Sequence, residues 1–211
     1  MHSGISLPFD NNPPTSAPTN LVGYVSPDGN GIELSWTADA NASTYNVYRS
    51  QIESTDRTAL DPIAFVAKGT QFTDSDVEIA RLFYYSVVSV DSAGNEGSNG
   101  LNSLAIALMD NAGGVLSTGS GIKLEFGSDA VSEHTQYKVS VAVNEISNEG
   151  LPVLSSSELL GSAWSVEIVS QLGSSIEILN KPVTLTSTLP VGSGGLVRIQ
   201  ELDWDSWREL E

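Results

Sequence analysis

The residues with the clearest chemical potential are two carboxylate groupings, Asp74/Asp76/Glu78 and Asp203/Asp205. Alternate residues of a strand share a face, so each grouping can present its oxygens together. Paired carboxylates hydrolyse glycosides when they flank a substrate cleft a few ångströms apart. Clustered Asp, Asn and carbonyl oxygens are also the hard ligands that Ca2+ selects. The spacing supplies the oxygens but no cleft, and there is neither an EF-hand loop nor a glycine-aspartate repeat. Solvated loop acids are the plain alternative. The chemical expectation is a weak calcium site drawn from Asp74, Asp76, Asp91 and Glu96, with no cofactor required.

Other catalytic equipment is scarce. There are no cysteines, which excludes disulfides, thiolate metal sites and Cys nucleophiles. The histidines are His2, near the terminus, and His134. No Gly-x-x-x-x-Gly-Lys phosphate loop occurs, and Gly192-Ser-Gly-Gly195 reads as a hairpin turn. Of the four tryptophans, Trp36 alternates with Ile32 and Leu34 and belongs to a core, and Trp164 opens an apolar run. Trp204 and Trp207 remain: core packing is the plain reading of this pair, and stacking of a part-exposed ring on a sugar face is the functional one.

Nine Lys+Arg against 26 Asp+Glu give a net charge of −17, which repels nucleic acid and anionic lipid alike. The longest apolar runs, such as Leu104 to Met109, are too short to span a bilayer. Neither nucleic acid nor direct membrane insertion is expected. No signal peptide is legible at Met1-His2-Ser3-Gly4, as in a mature chain or an internal fragment.

Elements able to position these groups are short and alternating, so the chain reads as all-β: two β-sandwich domains in tandem behind an extended N-terminal leader. In the leader, residues 1–16, Ile5, Leu7 and Phe9 share one strand face, and the proline-rich stretch from Asp10 to Thr19 is an extended tether. Such a segment suits strand addition to a neighbouring molecule, which would build filaments. Runs at Ile32–Trp36, Tyr45–Arg49, Ile63–Ala67 and Phe83–Val90 follow. After a two-glycine joint at Gly113-Gly114 come Ile122–Phe126, Tyr137–Val143, Trp164–Val169, Val183–Leu189 and Leu196–Leu202.

Residues 17–107 resemble a fibronectin type III domain. The similarity rests on Pro18, Ile32-Glu-Leu-Ser-Trp36, Tyr45-Asn-Val-Tyr-Arg49, Lys68-Gly-Thr-Gln-Phe-Thr-Asp74 and Tyr84-Tyr-Ser-Val-Val-Ser-Val-Asp-Ser-Ala-Gly-Asn-Glu96. One departure is Phe83 at the place of the corner tyrosine, where a hydroxyl bond to backbone would be missing. Residues 112–211 resemble a ZU5-like domain of bacterial surface proteins, through Gly113-Gly-Val-Leu-Ser-Thr-Gly-Ser-Gly121, Asp129–Tyr137, Leu179-Asn-Lys-Pro-Val-Thr-Leu185 and Trp207. Some related domains cleave themselves at a His-hydrophobe-Ser/Thr tripeptide, but His134 is followed by Thr135-Gln136, which misplaces the nucleophile.

The resemblances imply a non-enzymatic structural or interaction module, extracellular or at a cell surface, serving adhesion, spacing or subunit assembly through protein partners. Ile5, Leu7, Phe9, Trp204 and Trp207 are the expected interaction residues. The alternative is an accessory carbohydrate-binding part of a larger extracellular enzyme.

Overall fold

The computed structural model describes residues 10–53, 57, 59–67, 69–97, 104–119, 121–131, 139–146, 163–171, 181, 183–187, 200–203 and 206–209. The protein is all-β. Its first strands are β1 (Thr19–Val25), β2 (Ile32–Thr37), β3 (Thr44–Ser50), β4 (Ala64–Ala67), β5 (Gln71–Asp74), β6 (Phe83–Val90) and β7 (Leu104–Met109). Then come β8 (Gly114–Ser117), β9 (Ile122–Phe126), β10 (Val139–Ile146), β11 (Ala163–Ser170), β12 (Val183–Ser187), β13 (Gln200–Asp203) and β14 (Ser206–Glu209).

The strands pair into a three-stranded sheet β1-β2-β5, a six-stranded sheet β11-β10-β7-β6-β3-β4, a second three-stranded sheet β12-β9-β8 and the hairpin β13-β14. The β1-β2-β5 sheet packed on β4-β3-β6-β7 is a fibronectin type III-like sandwich. Its core gathers Ile32, Leu34, Trp36, Tyr45, Val47, Phe83, Tyr85, Val87, Leu104, Ile106 and Leu108. Trp36 lies edge-on to Tyr45, with ring centroids 5.5 Å apart, a geometry favoured by the ring quadrupoles.

The six-stranded sheet does not end with that sandwich. Strand β7 pairs with β6 through Phe83↔Ile106 on one side and with β10 through Val139↔Met109 to Ala142↔Ile106 on the other. All six β7 residues are buried. Leu104, Ile106 and Leu108 face the first core. Ala105, Ala107 and Met109 join Leu116, Ile122, Leu124, Phe126, Val139, Val141 and Val143 in a second core, under the β12-β9-β8 sheet. Sandwich packing therefore occurs twice, on the two faces of one sheet, and an uninterrupted apolar run is what a strand covered on both faces requires.

Two close approaches fix the layers. A Cβ on Gly23 of β1 would lie 2.9 Å from both Ile106 Cδ1 and Leu104 Cδ2, so a larger residue would have to push these buried methyl ends aside for β1 to stay as near β7. At the joint, Gly114 has φ 150° and a Cβ there would lie 2.4 Å from the Ala80 Cβ. Gly113, with φ 77°, has the Phe126 carbonyl where a Cβ would stand, so the two-glycine joint packs tightly on both of its sides. Gln171, after β11, also donates to the Pro27 carbonyl at 3.0 Å.

The tether residues form no regular structure but lie against the sandwich. Pro14 is buried, the Asp10 carbonyl accepts from Asn95 Nδ2 at 3.0 Å, and the Ser16 hydroxyl donates to Asp39 at 2.7 Å.

Candidate functional site

Asp74 and Asp76 come together as the spacing suggests, and the cation between them is Arg49. Arg49 Nη1 donates to both Asp74 oxygens at 2.9 and 3.1 Å, while Nη2 meets Asp76 Oδ2 at 2.9 Å. The Asp74 side chain is 5% exposed and that of Asp76 94%. The Tyr85 hydroxyl adds a third donor to Asp74 at 2.7 Å, and the Arg49 guanidinium lies 5.2 Å over the Phe83 ring. Burial opposes the charge on Arg49, but bonding to Asp76 and the Asp74 charge outweigh it and hold the guanidinium more firmly protonated. Burial, then the bond to Asp74 and its charge, drive the Tyr85 phenol far above its ordinary range. The hydroxyl anchor that Phe83 cannot supply is made two residues along, to a carboxylate.

Asp91 and Glu96 bond elsewhere. Asp91 closes its own loop, accepting from the Ala93 and Asn95 N–H groups at 2.8 and 2.9 Å and from Asn95 Nδ2 at 2.9 Å. The Asn95 side-chain bond, then the backbone ones, lower its pKa. Glu96 accepts from Asn46 Nδ2 and the Tyr48 hydroxyl. Burial, then Glu96, push the Tyr48 phenol up to about 12. Glu78 pairs with Arg81 at 2.6 Å. Among the described residues no group of three His, Asp or Glu side chains could hold a metal ion. Both Asp74 oxygens are occupied by Arg49 and Tyr85, whereas Asp76 bonds Arg49 through Oδ2 and stands in solvent.

Ile5, Leu7, Phe9, His134, Trp204 and Asp205 lie outside the described residues. Trp207 is placed by its backbone alone, opposite Leu202 in the β13-β14 hairpin. Trp36 is 5% exposed, a core residue as its alternation implies.

Among the described residues the large aromatic side chains most open to solvent are Tyr24 on β1, 40% exposed, and Phe65 on β4, 74% exposed, neither of them singled out by the sequence pattern. They stand on opposite outer faces of the first sandwich. Alternation is the signal that could have found Tyr24, since Gly23 and Val25 point inward on either side of it. Around Phe65 the donors are already committed, because Nδ2 of its cross-strand partner Asn46 and the Tyr48 hydroxyl both bond Glu96, while Asn46 Oδ1, without a partner, is buried out of a ligand's reach. Around Tyr24 they are not.

An all-β, fibronectin type III-like sandwich with exposed aromatics and engaged carboxylates is the class of module that fold and site define. No protein-family model matches the chain. It is 33% identical over 104 residues to an amylopullulanase of Thermoanaerobacterium saccharolyticum, spanning 49% of this chain and 8% of that protein. The amylopullulanase of Thermoanaerobacterium thermosulfurigenes is 32% identical over 106 residues, 50% of this chain and 5% of its own length. The chain thus corresponds to only a small part of these relatives. Among solved structures, an Fn3-like protein from Clostridium thermocellum is similar at 26% identity and TM-score 0.37, over 49% of this chain and 93% of that one. A beta-1,2-glucanase from Parabacteroides distasonis is similar at 27% identity and TM-score 0.32, over 41% of this chain and 12% of that one.

Proposed function

We propose that this chain is a non-catalytic accessory module of a larger carbohydrate-active enzyme, holding a glucan while a separate domain carries out the chemistry. The observation that carries the reading is the amylopullulanase similarity, which takes in about half of this chain and under a tenth of the enzyme. An enzyme name that pairs two polymeric α-glucans points to α-glucan as the ligand. On this reading the module works outside the cell, on polymer too large to be taken up. Arg49 and Tyr85 occupy both oxygens of Asp74, which supports a structural part for that carboxylate over a hydrolytic one. The ZU5-like reading of residues 112–211 and the division at 17–107 rest on the motifs quoted above.

Affinity electrophoresis of the full chain through gels cast with amylose or pullulan tests the proposal, with a reducing-end assay on the same polymers. Retarded migration without new reducing ends is the expected result. Migration unaffected by either polymer, or turnover by the chain alone, overturns it.

A further inference from the structure

We propose that the outward face of the β1-β2-β5 sheet is the surface on which a neutral glucan chain lies; this rests on the accessory-module reading and gives it a site. Antiparallel register sets out the face in rungs. Tyr24 stands beside Glu33 and Glu33 beside Thr73; one rung along, Val22 stands beside Ser35 and Ser35 beside Gln71. At the end of the sheet, beside the irregularity between Thr19 and Val22, Asn20 has φ 53° and donates to the Thr37 hydroxyl at 3.2 Å. Two inter-strand spacings make a rung about 10 Å wide, and the rungs lie about 7 Å apart, which accommodates a pair of hexose rings.

The chemistry of this face suits a sugar. It carries hydroxyls, amides, one tyrosine ring and a single half-buried carboxylate, Glu33, in a chain of 26 acidic residues. It has no lysine or arginine, so nothing there recognises a phosphate or sulfate, and the net charge of −17 repels polyanions while leaving an uncharged polymer unaffected. Among the described residues the side chains of Tyr24, Glu33, Ser35, Gln71 and Thr73 have no hydrogen-bond partner. Stacking on Tyr24 supplies orientation, and the free hydroxyl, amide and carboxylate groups supply polar contacts to the sugar hydroxyls. Phe65, although more exposed, offers a ring whose neighbours are already bonded to one another.

The test compares Tyr24→Ala, Gln71→Ala/Thr73→Ala, Tyr24→Phe and Phe65→Ala in the full chain, by affinity electrophoresis in amylose and pullulan, with thermal melts as the folding control. Loss of one exposed ring should weaken binding about tenfold. Tyr24→Phe, which keeps the ring, should bind nearly as the parent does, and Phe65→Ala should be unchanged. If Tyr24→Ala melts early, the Gln71/Thr73 pair decides in its place. Parent binding that survives both the Tyr24→Ala and the Gln71/Thr73 changes overturns this site but leaves the accessory-module reading standing. A parent chain that binds neither polymer overturns both.

Discussion

The two faces of β7 are built differently. Toward the β1-β2-β5 sheet it presents Leu104, Ile106 and Leu108 to a core that includes Trp36, Tyr45, Phe83 and Tyr85. Toward the β12-β9-β8 sheet it presents Ala105, Ala107 and Met109 to a largely aliphatic core with small side chains at its centre. The first core has polar ties at its rim, Arg49 with Asp74 and Tyr85, and Asp39 with Ser16 and Ser89. On the second side β7 supplies the small Ala105 and Ala107, so added bulk there is limiting. One strand can serve two cores because alternate residues answer to different partners.

The largest effect belongs to the first core. Trp36→Ala should cost about 3 to 5 kcal/mol, the usual range for truncating a buried aromatic. Because β7 is shared, the loss should appear as one cooperative transition of the whole described fold at lower temperature. Two resolved melting steps in calorimetry, with only the first displaced, would break the coupling between the faces. Next in size is Arg49→Met, which leaves Asp74 buried beside Tyr85 without its cation; a loss of about 3 kcal/mol is expected. Urea melts of Arg49→Met and of Arg49→Met/Asp74→Asn check the cause, since removing both charges should recover part of the loss.

A third comparison acts on β7 itself. Ala107→Leu adds three carbons to the tight face and should destabilise by about 1 to 3 kcal/mol through overpacking. Ile106→Val removes one methylene from the bulky face and should cost about 0.5 to 1.5 kcal/mol. An Ala107→Leu loss no larger than that of Ile106→Val in urea melts would show the second core to be no tighter than the first.

Local pattern explains which of these features were legible. Trp36 and the Ile122–Phe126 strand follow directly from period-two alternation, and the structure places both as their spacing implies. Leu104 to Met109 was visible as an apolar run, but a run alone does not say that two sheets cover it; that follows only once β10 is known to pair beyond β7. Asp74 and Asp76 were grouped correctly, whereas their partner Arg49 stands 25 and 27 positions away and no short-range rule connects them. The Tyr85 anchor lies outside the corner-tyrosine pattern, which falls on Phe83. Tyr24 was missed because a β1 face carrying Val22 and Tyr24 outward looks as apolar as a core face.

The most local of the expected effects concerns the tether and separates the two sides by pH. Asp39 is 8% exposed and accepts from the Ser16 and Ser89 hydroxyls at 2.7 Å each and from the Asn41 N–H at 3.0 Å. Burial pushes its pKa up, but the three donors, Asn41 foremost, together outweigh it and leave the carboxyl below its ordinary value. A depressed carboxylate contributes stability that is complete above the unfolded pKa, about 3.9, and is lost as pH falls through the folded one. Asp39→Asn keeps the shape but loses charge-assisted acceptance, so about 1 to 2 kcal/mol should go at neutral pH, along with protection of residues 10–18 from protease. The stability difference between parent and variant should then narrow steadily below about pH 4. Asp28 and Asp91 are lowered as well, so only the parent-minus-variant curve isolates Asp39. A difference that stays constant into strong acid would show that packing of Pro14, and not the Asp39 charge, holds the tether to the first sandwich.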